Sequence, residues 1–320
     1  MTTTRPNRAT GGDGVSVDLP PLRNGVDYLR RVVTELDPGE GQEVGPLNLK
    51  HAVLHLHAAT EVLLKYRLQL EHWTLVLERV DRKHGGRRVT PAMFRNGQFK
   101  SCGLEEARLR LDQVARVQLS DETKSIDALI DMRNAVQHYG LTAEGRAEKT
   151  TAEVLHLLIS FLHAEVLNHP KVQPEEREQV EEDLRYVGSS LRRIDRYVAY
   201  RLKQLEPALA PHPDQRLTCP YCRTESLLAM PDSVACLFCP ESSMDIYWTA
   251  AAYASDVLRL DWRSQPTSGP FSQPAQPPVD DCPVCGKTAL VRGALTHSSP
   301  TTPCDFCFNC GQALSGPAAI

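Results

Sequence analysis

Export and membrane signals are not expected from this sequence. No apolar run approaches the roughly 20 residues that a bilayer span requires. The first residues, MTTTRPNRATGGDG, have no apolar stretch of the kind a signal peptide needs, so residues 1–19 read as a flexible tail. The expectation is a cytoplasmic protein. Charge of one sign is lacking as well, because a formal net charge of −4 does not mark the whole chain as a nucleic-acid binder. Strand-like alternation is almost absent between residues 20 and 205, where the apolar residues recur at helical spacing. Cysteine is scarce over the first 218 residues, which hold only Cys102 of the 10 in the chain.

What is present is ordinary for a globular protein, with 41% hydrophobic and 24% charged residues. A chain of 320 residues allows two or three domains. The average charge also hides basic blocks. Residues 79–116 hold 10 Lys or Arg against 4 Asp or Glu, and residues 185–203 hold 6 against 1. Such blocks can track a phosphate backbone or simply be solvated helix faces.

The other nine cysteines fall in the last 102 residues. Cys219, Cys222, Cys236 and Cys239 give C-x2-C-x13-C-x2-C, and Cys282, Cys285, Cys307 and Cys310 give C-x2-C-x21-C-x2-C. A two-residue gap lets both sulfurs of a pair face one ion, which is the pattern of tetrahedral zinc ligands. A disulfide framework is the competing reading, and it fits poorly with a chain that lacks an export signal. In CPVCG (282–286) and CFNCG (307–311) a glycine follows the second cysteine, where a tight knuckle can need positive φ. CDFC (304–307) has no such glycine, so Cys304 is expected to be an outer thiol. Both sets resemble zinc ribbons, over residues 217–241 and 280–312. The first set carries Pro220 but no glycine after Cys222 or Cys239, which leaves its ribbon geometry open. Sites with four thiolates have no open position for a substrate, so the two expected Zn2+ ions are structural.

The segment RSQPTSGPFSQPAQPPVDD cannot build a core and marks a linker at residues 263–281. A second break, EPALAPHPDQR (206–216), precedes the first cysteine set. The expected layout is a tail (1–19), a helical domain (20–205), a first zinc module (206–262), a Pro-rich linker (263–281) and a second zinc ribbon (282–320). Helices are expected near 20–36, 47–80, 103–117, 120–138, 144–168 and 174–205, which makes the fold class all-α. On the long helix Val53, Leu56, Thr60, Leu63, Arg67 and Leu70 share one stripe. Ser120 is the expected N-cap of the helix at 120–138, with Ile126, Leu129 and Ile130 pointing inward. Glu71 and His72 are expected to close the long helix. His55, His57 and Glu61 form either a metal-binding or a structural polar cluster, and Cys102 reads as a buried bystander.

One motif carries possible chemistry. In RNAVQHYG (133–140), Asn134 and His138 are four residues apart and share a helix face, while the long side chain of Arg133 can swing to the helix end. A titratable imidazole beside a guanidinium suits RNA phosphodiester cleavage, which needs proton transfer and a cation for the phosphorane. The structural alternative is a terminal histidine that bonds the last carbonyls beside a snorkelling arginine.

An R-x4-H sequence with a polar residue after the arginine, ending a helix in a helical bundle, resembles the HEPN superfamily. HLHAATEVLLKYRL likewise resembles the long second helix of HEPN-like bacterial proteins. The resemblance covers about residues 20–205. It implies that His138 is the acid or base, that Arg133 stabilises the phosphate and that Asn134 orients the site. It implies a metal-independent endoribonuclease, either a toxin or a defence effector, whose zinc modules contact RNA or a partner such as an antitoxin. HEPN grooves usually form between two units, so a single motif implies a homodimer through the helical domain. The other expectation is a non-catalytic dimeric adaptor whose ribbons bind nucleic acid or protein.

Overall fold

A computed structural model describes residues 19–37, 39, 43–79, 83–84, 87–119, 123–138, 146–239, 244–260 and 278–314. Ser120, Gly140 and most of the Pro-rich 263–281 stretch lie outside the described residues.

The N-terminal half is a helical body. Helices α1 (Pro21–Leu36) and α2 (Pro46–Glu71) each start with proline in the first turn, where a missing N–H is not needed. The two pack closely, and a Cβ on Gly25 would lie 2.5 Å from Leu63 Cδ2. Val53, Leu56, Thr60, Leu63, Arg67 and Leu70 are all buried, as their stripe implies. Thr60 donates its hydroxyl to the Leu56 carbonyl at 2.7 Å, and Arg67 donates to Glu71 Oε1 at 2.7 Å. That hydrogen bond holds the Glu71 carboxyl below its usual range.

The expected helix 47–80 stops at Glu71. His72 is extended (φ −158°, ψ 134°), its ring accepts from the Thr74 amide, and a 3-10 turn follows at Trp73–Val76. A two-residue hairpin, β1 (Lys83–His84) and β2 (Arg87–Arg88), precedes α3 (Pro91–Arg95) and α4 (Leu104–Arg110). Then come α5 (Thr123–His138), α6 (Arg146–Phe161, continued in a wider turn to Leu167), α7 (Pro174–Leu191) and α8 (Asp195–Leu209). The expected single helix 174–205 is thus two. The chain turns between them at Ile194, which is extended and buried. Ile126 and Leu129 of α5 are fully buried and Ile130 is partly so; Cys102 joins the same core. The helical stretch Arg146–Leu167 is long and apolar enough to cross a membrane, but 61% of its most apolar window is buried in this core.

The all-α expectation is overturned by the C-terminal region, which carries a seven-stranded antiparallel sheet. The strands are β3 (Arg216–Leu217), β4 (Leu227–Met230), β5 (Ser233–Cys236), β6 (Asp280–Asp281), β7 (Thr288–Thr296), β8 (Ser299–Cys307) and β9 (Ala313–Leu314). Their order is β5-β4-β3-β7-β8-β9, with β6 also pairing with β7. The two cysteine sets therefore share one sheet, joined where Leu217 pairs with Thr296. Their apolar residues form one core, with Phe306 and Phe308 in T-shaped contact at 5.6 Å.

The physical reason this sheet escapes a reading of periodicity lies in β7 and β8. The register shifts between Val291 and Ala294 and again before Thr296, with Gly293 at φ 72° inside the irregularity. Burial along β7 runs Ala289, Leu290, Val291 in succession, so the period of two is lost. A ninth helix, α9 (Ile246–Ala252, widening to Val257), is capped by Asp245 and covers the sheet with Thr249, Ala250, Ala251, Tyr253 and Ala254. Its Tyr253 hydroxyl lies 3.1 Å from the carbonyl and from the amide of Leu295.

Body and sheet are fastened together. Buried Arg216 donates to Glu206 of α8 at 3.2 Å and to the Glu225 carbonyl at 2.8 Å. Phe238 lies edge-on to Tyr197 of α8, with ring centres 6.1 Å apart. Arg201 of α8 donates to the Leu237 carbonyl at 3.3 Å and approaches His156 Nε2 of α6 at 3.4 Å.

Candidate functional site

Each cysteine set closes on itself. Cys219, Cys222, Cys236 and Cys239 form one group, and Cys282, Cys285, Cys307 and Cys310 form another, with the sulfurs of each group within 4.8 Å of one another. The separations are 3.9 Å for Cys219–Cys239, 3.6 Å for Cys222–Cys236, 3.9 Å for Cys282–Cys310 and 3.7 Å for Cys285–Cys307. Disulfides, at about 2.05 Å, are excluded. Four sulfurs about 2.3 Å from a central ion would sit about 3.8 Å apart, so both groups fit a tetrahedral metal ion.

Backbone hydrogen bonds build the knuckles. The Arg223, Gly286 and Gly311 amides donate to the carbonyls of Cys219, Cys282 and Cys307 at 2.8–2.9 Å. The amides of those cysteines donate onward to Thr224, Lys287 and Gln312 carbonyls at 2.8–3.0 Å. Gly286 and Gly311 both adopt φ 69°. A Cβ on Gly311 would also strike the Ala229 carbonyl at 2.5 Å, so that position tolerates no side chain. Arg223 makes the same turn without glycine, at φ 65°.

Polar neighbours differ between the centres. At the first, the Thr224 hydroxyl is 3.0 Å from Cys222 Sγ, the Ser226 hydroxyl is 3.2 Å from Cys236 Sγ, and the two hydroxyls are 2.6 Å apart. At the second, Asn309 Nδ2 donates towards Cys285 Sγ at 3.7 Å and to Asp232 Oδ1 at 3.2 Å. Asp232 sits in the β4–β5 turn, so this link ties the second centre to the hairpin that carries the first. None of Thr224, Ser226, Asn309 or Asp232 stands out in the cysteine spacing; the T-x-S that follows the first knuckle was the available signal.

Thiolates this close repel one another and require a cation to ionise together. As thiols they share protons unequally. Hydrogen bonds within the first group push Cys219 and Cys239 up and hold Cys222 and Cys236 down. In the second, burial pushes Cys307 and Cys310 up. Burial opposes ionisation of Cys282 too, yet the Cys285 and Val284 amides bring it down to about 7. Cys304 stands outside both groups and directs its thiol at the Ala294 carbonyl, 3.5 Å away.

The end of α5 is a different kind of place. Arg133 is half-buried and donates from Nη1 to Asn134 Oδ1 at 2.9 Å, while Asn134 and His138 are exposed. The arginine thus meets its neighbour's amide, and His138 is the last residue of the helix. On α2, His57 lies 3.9 Å from Glu61, and Lys65 bonds both Glu61 and the Ser101 hydroxyl, the latter at 2.8 Å. Burial, with the nearby charges of Arg133 and Lys65 opposing that of Glu61, lowers the pKa of His57. Among the described residues neither His57 nor His55 joins a metal-holding group. His55 stacks against Tyr28 instead, with ring centres 5.9 Å apart.

No protein-family model matches the chain, and no curated protein or solved structure is significantly similar to it.

Proposed function

We propose that this chain is a HEPN-like endoribonuclease that cuts RNA without a catalytic metal, and that each four-cysteine group binds a structural zinc ion. The sulfur separations support the zinc assignment, together with an all-thiolate donor set that suits zinc. A closed four-thiolate shell gives such an ion no catalytic coordination position.

The observation that carries the ribonuclease reading is the end of α5. Arg133 is steadied by Asn134 there, and the exposed His138 terminates the same helix. The imidazole exchanges a proton with the 2′-hydroxyl or the leaving 5′-oxygen. The guanidinium N–H groups not engaged by Asn134 meet the phosphorane charge. The reaction profits from both an acid and a base, and a two-fold homodimer would supply the second His138 from identical sequence.

The test is cleavage of RNA by the full-length protein in EDTA, with zinc content followed in the same sample. His138→Ala and Arg133→Ala should each lower the rate by about a hundredfold or more. A wild type no faster than both variants would leave the second reading, a dimeric adaptor that cuts nothing. That reading is favoured by the exposed aromatic side chains beside the first cysteine centre.

A further inference from the structure

The first cysteine knuckle presents a ring to solvent. Tyr221, between Cys219 and Cys222, is 43% exposed, and its hydroxyl approaches Thr249 of α9. The residue before Thr249 is Trp248, at 60% exposure the most open aromatic among the described residues. Tyr247 supports it edge-on, with ring centres 5.1 Å apart.

Two exposed arginines lie beside Tyr221 and the continuation of α9. Arg192, from the basic 185–203 stretch, donates to the Tyr221 carbonyl at 2.7 Å, and Arg223 donates to the Asp256 carbonyl at 2.5 Å. Each is anchored through a backbone oxygen, and among the described residues neither is paired with a carboxylate. Asp245 and Asp256 are the acidic groups that act on Tyr221, and Asp245 is committed to capping α9.

A purely apolar partner would gain little from anchored, uncompensated guanidinium groups at the edge of its footprint. A chain that alternates flat rings with phosphates uses both features. We propose that this face binds single-stranded RNA, with bases stacked on Tyr221 and Trp248 and phosphates on Arg192 and Arg223. The inference rests on the reading that the protein works on RNA, and it specifies where the strand lies.

The test uses full-length, zinc-loaded protein and a fluorescent 2′-O-methyl oligouridine about 10 nucleotides long, within the usual span of a single-strand site. Such a strand lacks the attacking 2′-hydroxyl, so binding is read without cleavage. Tyr221→Ala and Trp248→Ala should each weaken binding roughly tenfold, with zinc content and melting temperature unchanged. Arg192→Gln, which keeps a donor for the Tyr221 carbonyl, should reduce the salt dependence by about 0.7 in logarithmic slope. Equal affinity of wild type and both ring variants would overturn the proposal. So would failure of the wild type to bind, which would assign the rings to a protein partner. A wild type that binds this strand through the rings but leaves ordinary RNA intact would sustain the proposal and sink the ribonuclease reading. Cleavage that depends on His138, combined with binding indifferent to the rings, would do the reverse.

Discussion

The two cysteine centres have the same ligands and occupy the same sheet, yet they are held differently. Three of the four cysteines are buried at the first centre and two at the second. The first has two hydroxyls on its sulfurs, whereas the second has a single, longer contact from Asn309. The first also contains the loop that docks on the body, since Leu237 and Phe238 lie between two of its ligands. The difference suggests a division of labour. The second centre closes the end of the β7–β8 hairpin, while the first closes its own hairpin and also holds the sheet to the helices.

The largest effect should come from removing a ligand at the first centre. Structural zinc sites contribute about 10 kcal/mol or more of apparent binding free energy, and much of it is folding energy. Cys222→Ser should therefore unfold the sheet and release Phe238 from the body. Cys285→Ser should cost less and leave the docking contact in place. Metal content and thermal unfolding of both variants check this, and equal losses would erase the distinction. A chelator titration of wild type should likewise remove the second centre's metal first. Release of the first metal ahead of the second would reverse the ranking.

Next in size is the dock itself. Truncating a fully buried phenylalanine to alanine costs about 3–5 kcal/mol, and Phe238 is only partly buried, so Phe238→Ala should cost about 2 kcal/mol. The informative readout is cooperativity. If the loop couples the two halves, the variant should split one unfolding transition into two, with both metals retained. A single transition, merely shifted, would show that Arg216 and Glu206 hold the halves together without it.

Comparing the centres also shows what a sequence can reveal. The grouping of the cysteines was legible because a two-residue gap and four sulfurs leave few geometric alternatives, and the glycines at 286 and 311 marked two of the turns. The helical body was legible for a similar reason: six residues spaced along α2 all had to face inward. The sheet was not, because bulges near Gly293 break the alternation and three of its strands have only two residues each. Helix α9 had a readable cap and pattern, Asp245 followed by IYWTAAAYA, but it lay inside a region assigned by its cysteines alone. Arg223 was illegible in principle, since nothing in an arginine announces a left-handed turn. At the end of α5 the residue types were visible, but a short motif carries no information about what faces it across a helix–helix contact. The closeness of His57 to Arg133 had to come from the packing of α2 on α5.

Smaller changes should appear around the first centre's hydroxyls. Outer hydrogen bonds to metal ligands typically change affinity by about 10–100-fold when removed. Thr224→Val with Ser226→Ala should weaken the first metal within that range, whereas Asn309→Ala should alter the second by less. Competition against a colorimetric zinc indicator resolves the two steps. If Asn309→Ala proves the more damaging, the longer contact outweighs the two shorter ones and the ranking of the centres inverts.

The smallest expected effect is a pH dependence at the dock. Burial, aided by the positive charge of Arg201, lowers the pKa of His156 to about 4. In the unfolded chain the same imidazole titrates near 6.5. Between those values the unfolded state binds the extra proton, so the stability that His156 allows is complete above pH 6.5 and is lost as pH falls towards 4. The ring keeps some contact with solvent, which reduces the full linkage to about 1–2 kcal/mol across that window. His156→Phe should remove this component while keeping the ring contacts with Tyr197 and Tyr200. The measurement is the difference in unfolding free energy between wild type and variant at pH 7 and pH 5, which cancels the carboxylates and thiols common to both. A gap that widens in the variant's favour at the lower pH locates an acid-sensitive point at the Phe238 dock. A constant gap would mean that His156 keeps its solvent-like titration and that Arg201 alone organises the contact.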